Sequence, residues 1–302
     1  MRDGAGNRRV KRELQGEGQD YSAVLSGETL TLMDYLLVLP LFLMVAYYIG
    51  GPVLLYVSLK ITANPTFQSV KLTDFSSKEL DNFFLVSRRL AADNFGTLDE
   101  YVLASDDPDT QTAIMIMAHP ETGDRAIITA LLIRFNEEWR PLMQWVEFTT
   151  HFEDGARICS NNNPGPDWFA PPPEKRIYRF PSVTDARELY RRHRRAVLCH
   201  APNSPLVYIT LDAKSDEWLL RDFRAECEHQ RHAGILALDT RNRGVYHPTL
   251  HGAFRLTWRL LIPFRNARLL QDRARAAALL TALPPLKEED DRPLRESPRG
   301  LV

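Results

Sequence analysis

Residues 35–59 read YLLVLPLFLMVAYYIGGPVLLYVSL, 25 positions without a charge, bounded by Asp34 and Lys60. As a helix they rise about 37 Å at 1.5 Å per residue, against a hydrocarbon core of about 30 Å, so the segment can cross a bilayer with some tilt. Pro40 and the Gly50-Gly51-Pro52 triplet weaken the helix locally and predict a kink near the second. A re-entrant hairpin broken there would have two arms too short to cross. The apolar run exceeds the roughly 7 to 15 residues of a secretory leader, and no A-x-A-like site follows it, so it reads as a retained anchor. Arg8-Arg9 is too far upstream for a twin-arginine signal, with Glu13, Glu17, Asp20 and Glu28 intervening.

Orientation follows from the basic residues nearest the span, because cytoplasmic flanks keep Lys and Arg. None lies in the 20 residues before Tyr35, whereas Lys60, Lys71 and Lys78 follow closely. The body is therefore expected at the cell membrane's cytoplasmic side; the more distant cluster Arg8, Arg9, Lys11 and Arg12 argues the other way. Three scattered cysteines, Cys159, Cys199 and Cys227, make no disulfide framework and agree with a reducing compartment.

The whole chain has 302 residues, 38 Lys+Arg against 39 Asp+Glu and 44% apolar residues, which excludes a collagen, a coiled coil and wholesale disorder. The expected fold class is α+β: a transmembrane helix, an antiparallel meander packed on a helix, then a mostly helical module. Residues 1–30 read as a disordered arm, 31–60 as the anchor, 61–165 as the sheet domain, 166–282 as the helical module and 283–302 as a disordered tail. The boundary near 165 rests on charge. Residues 61–180 carry 11 basic and 18 acidic side chains, net −7, and residues 181–282 carry 17 and 10, net +7. The switch coincides with Asn161 to Pro173, a stretch with five prolines.

In the first half, Phe67 to Leu72 reads as a short strand, and Ser76 with Glu79 as the capping box of a helix running to Phe95 and stopped by Gly96. Five strands follow: Glu100 to Ser105, Thr112 to Ala118, Arg125 to Phe135, Met143 to Phe152 and Ala156 to Asn161, joined by Asp-, Pro- and Gly-rich turns. Ala113, Met115 and Met117 alternate with Ile114 and Ile116, so both faces are apolar and both need cover. The order resembles a cystatin-type or helix-grip sheet. The second half reads as a helix from Asp185 to Cys199, a strand from Leu206 to Leu211, and a helix from Asp216 to Ala233 capped by Ser215. Gly234, Leu236, Tyr246, Thr249 and Gly252, spaced across a polar turn, resemble the wing of a winged-helix domain over about 184–260.

A DNA-reading helix needs a basic face, because phosphate attraction supplies most non-specific affinity. In residues 216–233 the arginines Arg221, Arg224 and Arg231 are offset by Asp216, Glu217, Asp222, Glu226 and Glu228, so nucleic acid is not an expected partner. Residues 254–270, FRLTWRLLIPFRNARLL, place Arg255, Arg259, Arg265 and Arg268 among Trp258 and other apolar residues, as in a basic amphipathic helix lying on anionic lipid or packed on the body. Arg191, Arg192, Arg194 and Arg195 form a second basic run able to touch phosphate or to face water. His229, His232, His247 and His251 lack any C-x-x-C or H-E-x-x-H company, so no metal is expected. No G-x-S-x-G, Walker A or dinucleotide motif occurs, and no cofactor is expected. His151 and Cys159 share a hairpin as a conceivable nucleophile pair, with a buried thiol the plainer reading.

These residues describe a single-pass membrane protein whose body binds a partner protein or a small apolar ligand. Two alternatives stand beside it. One is a membrane-associated enzyme working in a cleft between the halves, near His151, Asn161 to Asn163 and Trp168; the other is a membrane-tethered DNA-binding regulator.

Overall fold

The computed structural model describes residues 32–74, 80–104, 108–136, 138–165, 167–200, 215–242 and 244–282. The two expected arms, the Ser76–Glu79 capping box and the Leu206–Leu211 strand lie outside the described residues. The chain is mixed α and β and divides into two compact units, one ending at Gly50 and one starting at Gly51.

The first unit holds α1 (Leu32–Val45) and a π-helical turn, Ala46–Gly50. Pro52 has no N–H for the helical ladder, and the turn just before it is the one that widens. Val38–Ser58, 21 residues of mean hydropathy 2.0, is long and apolar enough to cross a membrane. Of its most apolar window 6% is buried.

The second unit opens with α2 (Gly51–Ser58) and is built on a seven-stranded sheet. Its strands are β2 (Phe67–Ser69), β3 (Gly96–Ala104), β4 (Thr110–Ala118), β5 (Arg125–Phe135), β6 (Glu138–His151), β7 (Arg157–Asn161) and β8 (Lys175–Arg179), in that order across the sheet. All neighbours are antiparallel except β7 and β8. The five expected strands and the short one expected at Phe67 to Leu72, here Phe67–Ser69, are present, and one edge strand, β8, is added. The parallel edge, β8, comes from beyond the expected boundary at 165, because the Pro-rich stretch carries the chain back across the sheet end. The preceding helix, α3 (Asp81–Ala91), is shorter than its pattern suggested. Asn94 takes the left-handed conformation (φ 64°) that ends it, and Gly96 starts β3.

One face of the sheet presents Met115, Met117, Ile128, Leu132, Val146, Phe148 and Ile158 to three helices. These are α3 (Phe83, Val86, Leu90), α4 (Ala186–His200; Leu189, Val197) and α7 (Phe264–Ala282; Ala276, Leu279). The other face presents Tyr101, Ile114 and Ile116 to Trp218 of α5 (Ser215–His232). The second apolar face is thus covered by the chain's own second half. Each buried Leu, Ile, Phe or Met adds about 1.5–3 kcal/mol relative to exposure, which is why both faces have to be covered.

A smaller sheet has the order β1 (Ile61–Thr62), β10 (Val245–Pro248), β9 (Leu236–Leu238), all antiparallel. Leu236 and Tyr246 pack with Cys227 of α5. Thr249 caps α6 (Leu250–Leu260) by accepting from Gly252 N, and its hydroxyl donates to Gly234 O at 2.6 Å. Helix α2 lies against α6 at a close approach: a Cβ on Gly51 would sit 3.1 Å from Thr257 Cγ2. At Gly252 a Cβ would collide with the carbonyl of Ile235. Gly252→Ala is therefore expected to cost about 1–3 kcal/mol, read as a lower denaturant midpoint at unchanged m.

Candidate functional site

The sheet end where β6, β7 and β8 meet carries a cleft of about 230 Å³. Its floor is polar. Lys175 on β8 places Nζ 2.7 Å from Glu226 Oε1 on α5 and 3.7 Å from Glu147 Oε1 on β6. Asn161 on β7 donates to Glu147 Oε2 at 3.2 Å. Burial opposes the Lys175 charge, but Glu147, Cys159 and Glu226 outweigh it and hold the ammonium well above its ordinary pKa. The rim is the loop that follows β7, from Asn162 to Pro173, which places Asn163, Asp167, Trp168 and Phe169 at the opening.

Asn side chains fix that loop. Asn162 Oδ1 accepts from Val146 N at 2.7 Å while its amide donates to Val183 O at 2.9 Å. Asn163 Oδ1 accepts from Gly165 N at 2.8 Å. Arg179 donates to Asn163 O at 2.8 Å and to Gly165 O, and pairs with Asp272 (3.4 Å) and Asp167 (3.8 Å). Burial pushes the Asp167 carboxyl up, Arg179 pulls it down, and Glu147 adds to the rise; the net direction is upward. Trp168 remains 45% exposed at the mouth. Two amides, carboxylates, an ammonium and an indole face around 230 Å³ suit one small polar molecule, since drug-sized sites start at about 300 Å³.

The other residues singled out in the sequence are dispersed. His151 sits beside Trp218 (ring centroids 6.3 Å), and burial with Arg125 and Arg157 nearby lowers its pKa to about 3. Across the β6–β7 ladder Cys159 faces Thr149, whereas His151 faces Arg157. The Cys159 thiol, pushed up to about 12 by burial, is no nucleophile. The basic run of α4 does not form one wet face: Arg191 is exposed, Arg192 pairs with Glu188, Arg195 donates to Leu280 O, and Arg194 is buried. Lipid contact by Arg194 is therefore excluded, because its guanidinium points into the core. Arg255 and Arg265 are exposed, and Arg259 donates to Trp168 O at 3.2 Å. Among the described residues no three His, Cys, Asp or Glu side chains group as metal ligands.

Arg194 belongs to a polar cluster that sequence reasoning missed. The β4–β5 turn, closed by His119 N to Asp124 O at 2.8 Å, sets Asp124 fully inside. Asp124 Oδ2 takes Arg194 Nη1 at 3.0 Å and the Tyr190 hydroxyl at 2.8 Å, and Oδ1 accepts from Thr150. Thr150 Oγ1 is 2.8 Å from His193 Nε2, and His193 Nδ1 is 3.1 Å from Ser160 Oγ. Burial opposes the Asp124 charge; Arg194, His193, Thr150 and Thr122 outweigh it and hold its pKa below the usual range. Burial pushes the His193 imidazole down to about 4, so it is neutral at pH 7. The hydroxyl, imidazole and carboxylate have no exposed surface, so this is a core network and not a nucleophilic site. Helical spacing held the signal: Ala186, Leu189, Tyr190, His193, Arg194 and Val197 share one stripe of α4.

Compared with family models, curated protein sequences and solved structures, the chain matches none of them.

Asp124→Asn leaves the Arg194 charge buried without its partner and is expected to cost about 3–5 kcal/mol in denaturant unfolding. Stability also depends on pH. With His193 near 4 folded and about 6.5 unfolded, the unfolded chain binds the extra proton between those values. This contribution is complete above about pH 6.5 and is lost as pH falls toward 4, at up to about 1.4 kcal/mol per pH unit. His193→Gln should flatten that slope by about one proton.

Proposed function

We propose that the chain is a single-pass membrane protein with its body on the cytoplasmic side, and that the body binds a small polar molecule in the cleft between Glu147, Asn161, Lys175, Glu226 and Trp168. The observation that carries the anchor is the unburied apolar helix: Leu41, Phe42, Leu43, Ile49, Leu54 and Val57 are each about half exposed or more. In water every such side chain forgoes about 1.5–3 kcal/mol, and a bilayer removes that cost. Helix α2, the last two turns of this stretch, is seated on α6 with Pro52 buried, which supports an anchor kept as part of the fold over a discarded leader.

The cleft supports a ligand in preference to a macromolecule because it is small, concave and lined by fixed polar groups. An apolar ligand on the open sheet face is disfavoured, since α5 occupies that face. The winged-helix-like reading of residues 184–260 draws support from the β1-β10-β9 order and from the contacts of Gly234, Thr249 and Gly252. A DNA-reading role for α5 is disfavoured: Asp222 pairs with Arg157 at 3.0 Å and Glu226 with Lys175, turning that helix toward the sheet. The enzyme alternative draws support from two carboxylates in one cleft, Glu147 and Asp167, with burial raising the Asp167 pKa above its ordinary value.

The full chain is expected to stay with the membrane pellet through alkaline carbonate, and a carboxy-terminal reporter to be active in the cytoplasm. Recovery in the soluble fraction would overturn the anchor. Against a panel of polar metabolites, a ligand is expected to raise the unfolding temperature by roughly 2 °C or more, with the gain abolished by Trp168→Ala. Turnover of that compound, lost in Asp167→Asn, would favour the enzyme.

A further inference from the structure

A second, smaller pocket of about 100 Å³ lies along the flank of α6, between that helix, α5 and the cleft loop. Arg255, Arg259 and His229 line it, with the buried Gln230 fixed by its bond to Ala170 O at 2.7 Å. Burial pushes the Arg259 guanidinium down to about 10, and Arg268 and Arg255 add to the fall; only Asp167 pulls the other way. Among the described residues Arg255, Arg265 and Arg268 make no ion pair. Two guanidiniums and an imidazole line a space of phosphate size, with Arg268 near enough to Arg259 to add to the positive charge and little counter-charge beside them, which suits an anion.

The surroundings identify the source of that anion. Trp258 and Phe264 stack at 6.4 Å where α6 gives way to α7, and Trp258, Ile262, Phe264 and Leu270 are 44%, 56%, 49% and 62% exposed. By helical spacing Trp258 lies on α6 between the flank of Thr257, which meets α2, and the flank of Arg255 and Arg259. The exposed apolar elbow thus joins the end of the membrane helix to the basic pocket. We propose that this pocket holds the phosphate of an anionic phospholipid, with Trp258, Ile262 and Phe264 in the interface beside its acyl chains. The proposal rests on the membrane-anchor reading and adds a second, lipid-selective contact that sets how the body lies on the leaflet.

The test uses the full chain in maltoside micelles, titrated with short-chain phosphatidic acid, short-chain phosphatidylcholine and inorganic phosphate. Phosphatidic acid is expected to bind at least about tenfold more tightly than either of the others. Arg255→Gln should remove about tenfold of that affinity and Arg255→Lys restore part of it, with matched unfolding temperatures excluding a folding defect. Trp258→Ser with Phe264→Ser should weaken phosphatidic acid alone. Equal affinity for the two lipids, or indifference to Arg255→Gln, would overturn the proposal; inorganic phosphate binding as tightly as phosphatidic acid would overturn the lipid source. Because the assay is run in micelles, it is independent of carbonate extraction. A soluble protein that still binds phosphatidic acid loses the anchor only, and an anchored one that ignores it loses the pocket only.

Discussion

Strands β4 and β5 bury side chains on both faces, and the unit beginning at Gly51 is arranged around covering them. Helices α3, α4 and α7 close one side and α5 the other, so the sheet is an inner layer between helical layers. Covering the second face brings α5 across from the second half of the chain. That crossing juxtaposes Glu226 with Lys175 and Glu147, and the cleft lies where the helix crosses β6, β7 and β8.

The covering helices bring charge with them. Arg194 of α4 reaches Asp124, Asp222 of α5 reaches Arg157, and Asp272 of α7 reaches Arg179. In each pair one partner belongs to the acidic first half or its edge strand and the other to the second half. A change of net charge from −7 to +7 along the chain looks like a boundary between independent domains. In the fold the pairing does not follow that net sign: Arg194 sets a second-half base on the first-half Asp124, whereas Asp222 and Asp272 set second-half acids on the first-half bases Arg157 and Arg179, so individual pairs and not the net charge join the halves. Such buried pairs offset their own desolvation best when every lone pair and proton is engaged; Asp124 is engaged by Thr150, Tyr190 and Arg194, while Arg194 Nη2 is buried without a hydrogen bond.

On the far side of the unit, α2 and α6 meet through a glycine and a threonine, a contact close enough that a side chain on Gly51 would press on Thr257. Small residues there let the end of the apolar helix and the basic amphipathic helix lie together. Trp258 and the arginines of α6 then sit on the helix that packs against the last two turns of the apolar stretch.

The apolar segment, the mixed α+β class, the five central strands and the need for cover on two faces were all legible from local composition and period, because hydropathy, alternation and turn chemistry act between near neighbours. The corner of Gly234, Leu236, Tyr246, Thr249 and Gly252 was legible for the same reason. What filled the second face, the parallel edge strand β8, the arrival of Asp124 and Thr150 at Arg194 and His193, and the meeting of Glu147, Lys175 and Glu226 were decided by tertiary structure alone. Each joins residues tens of positions apart, and the free energy of burying a charge or an apolar face depends on which partner arrives from elsewhere in the chain; no local pattern carries that choice.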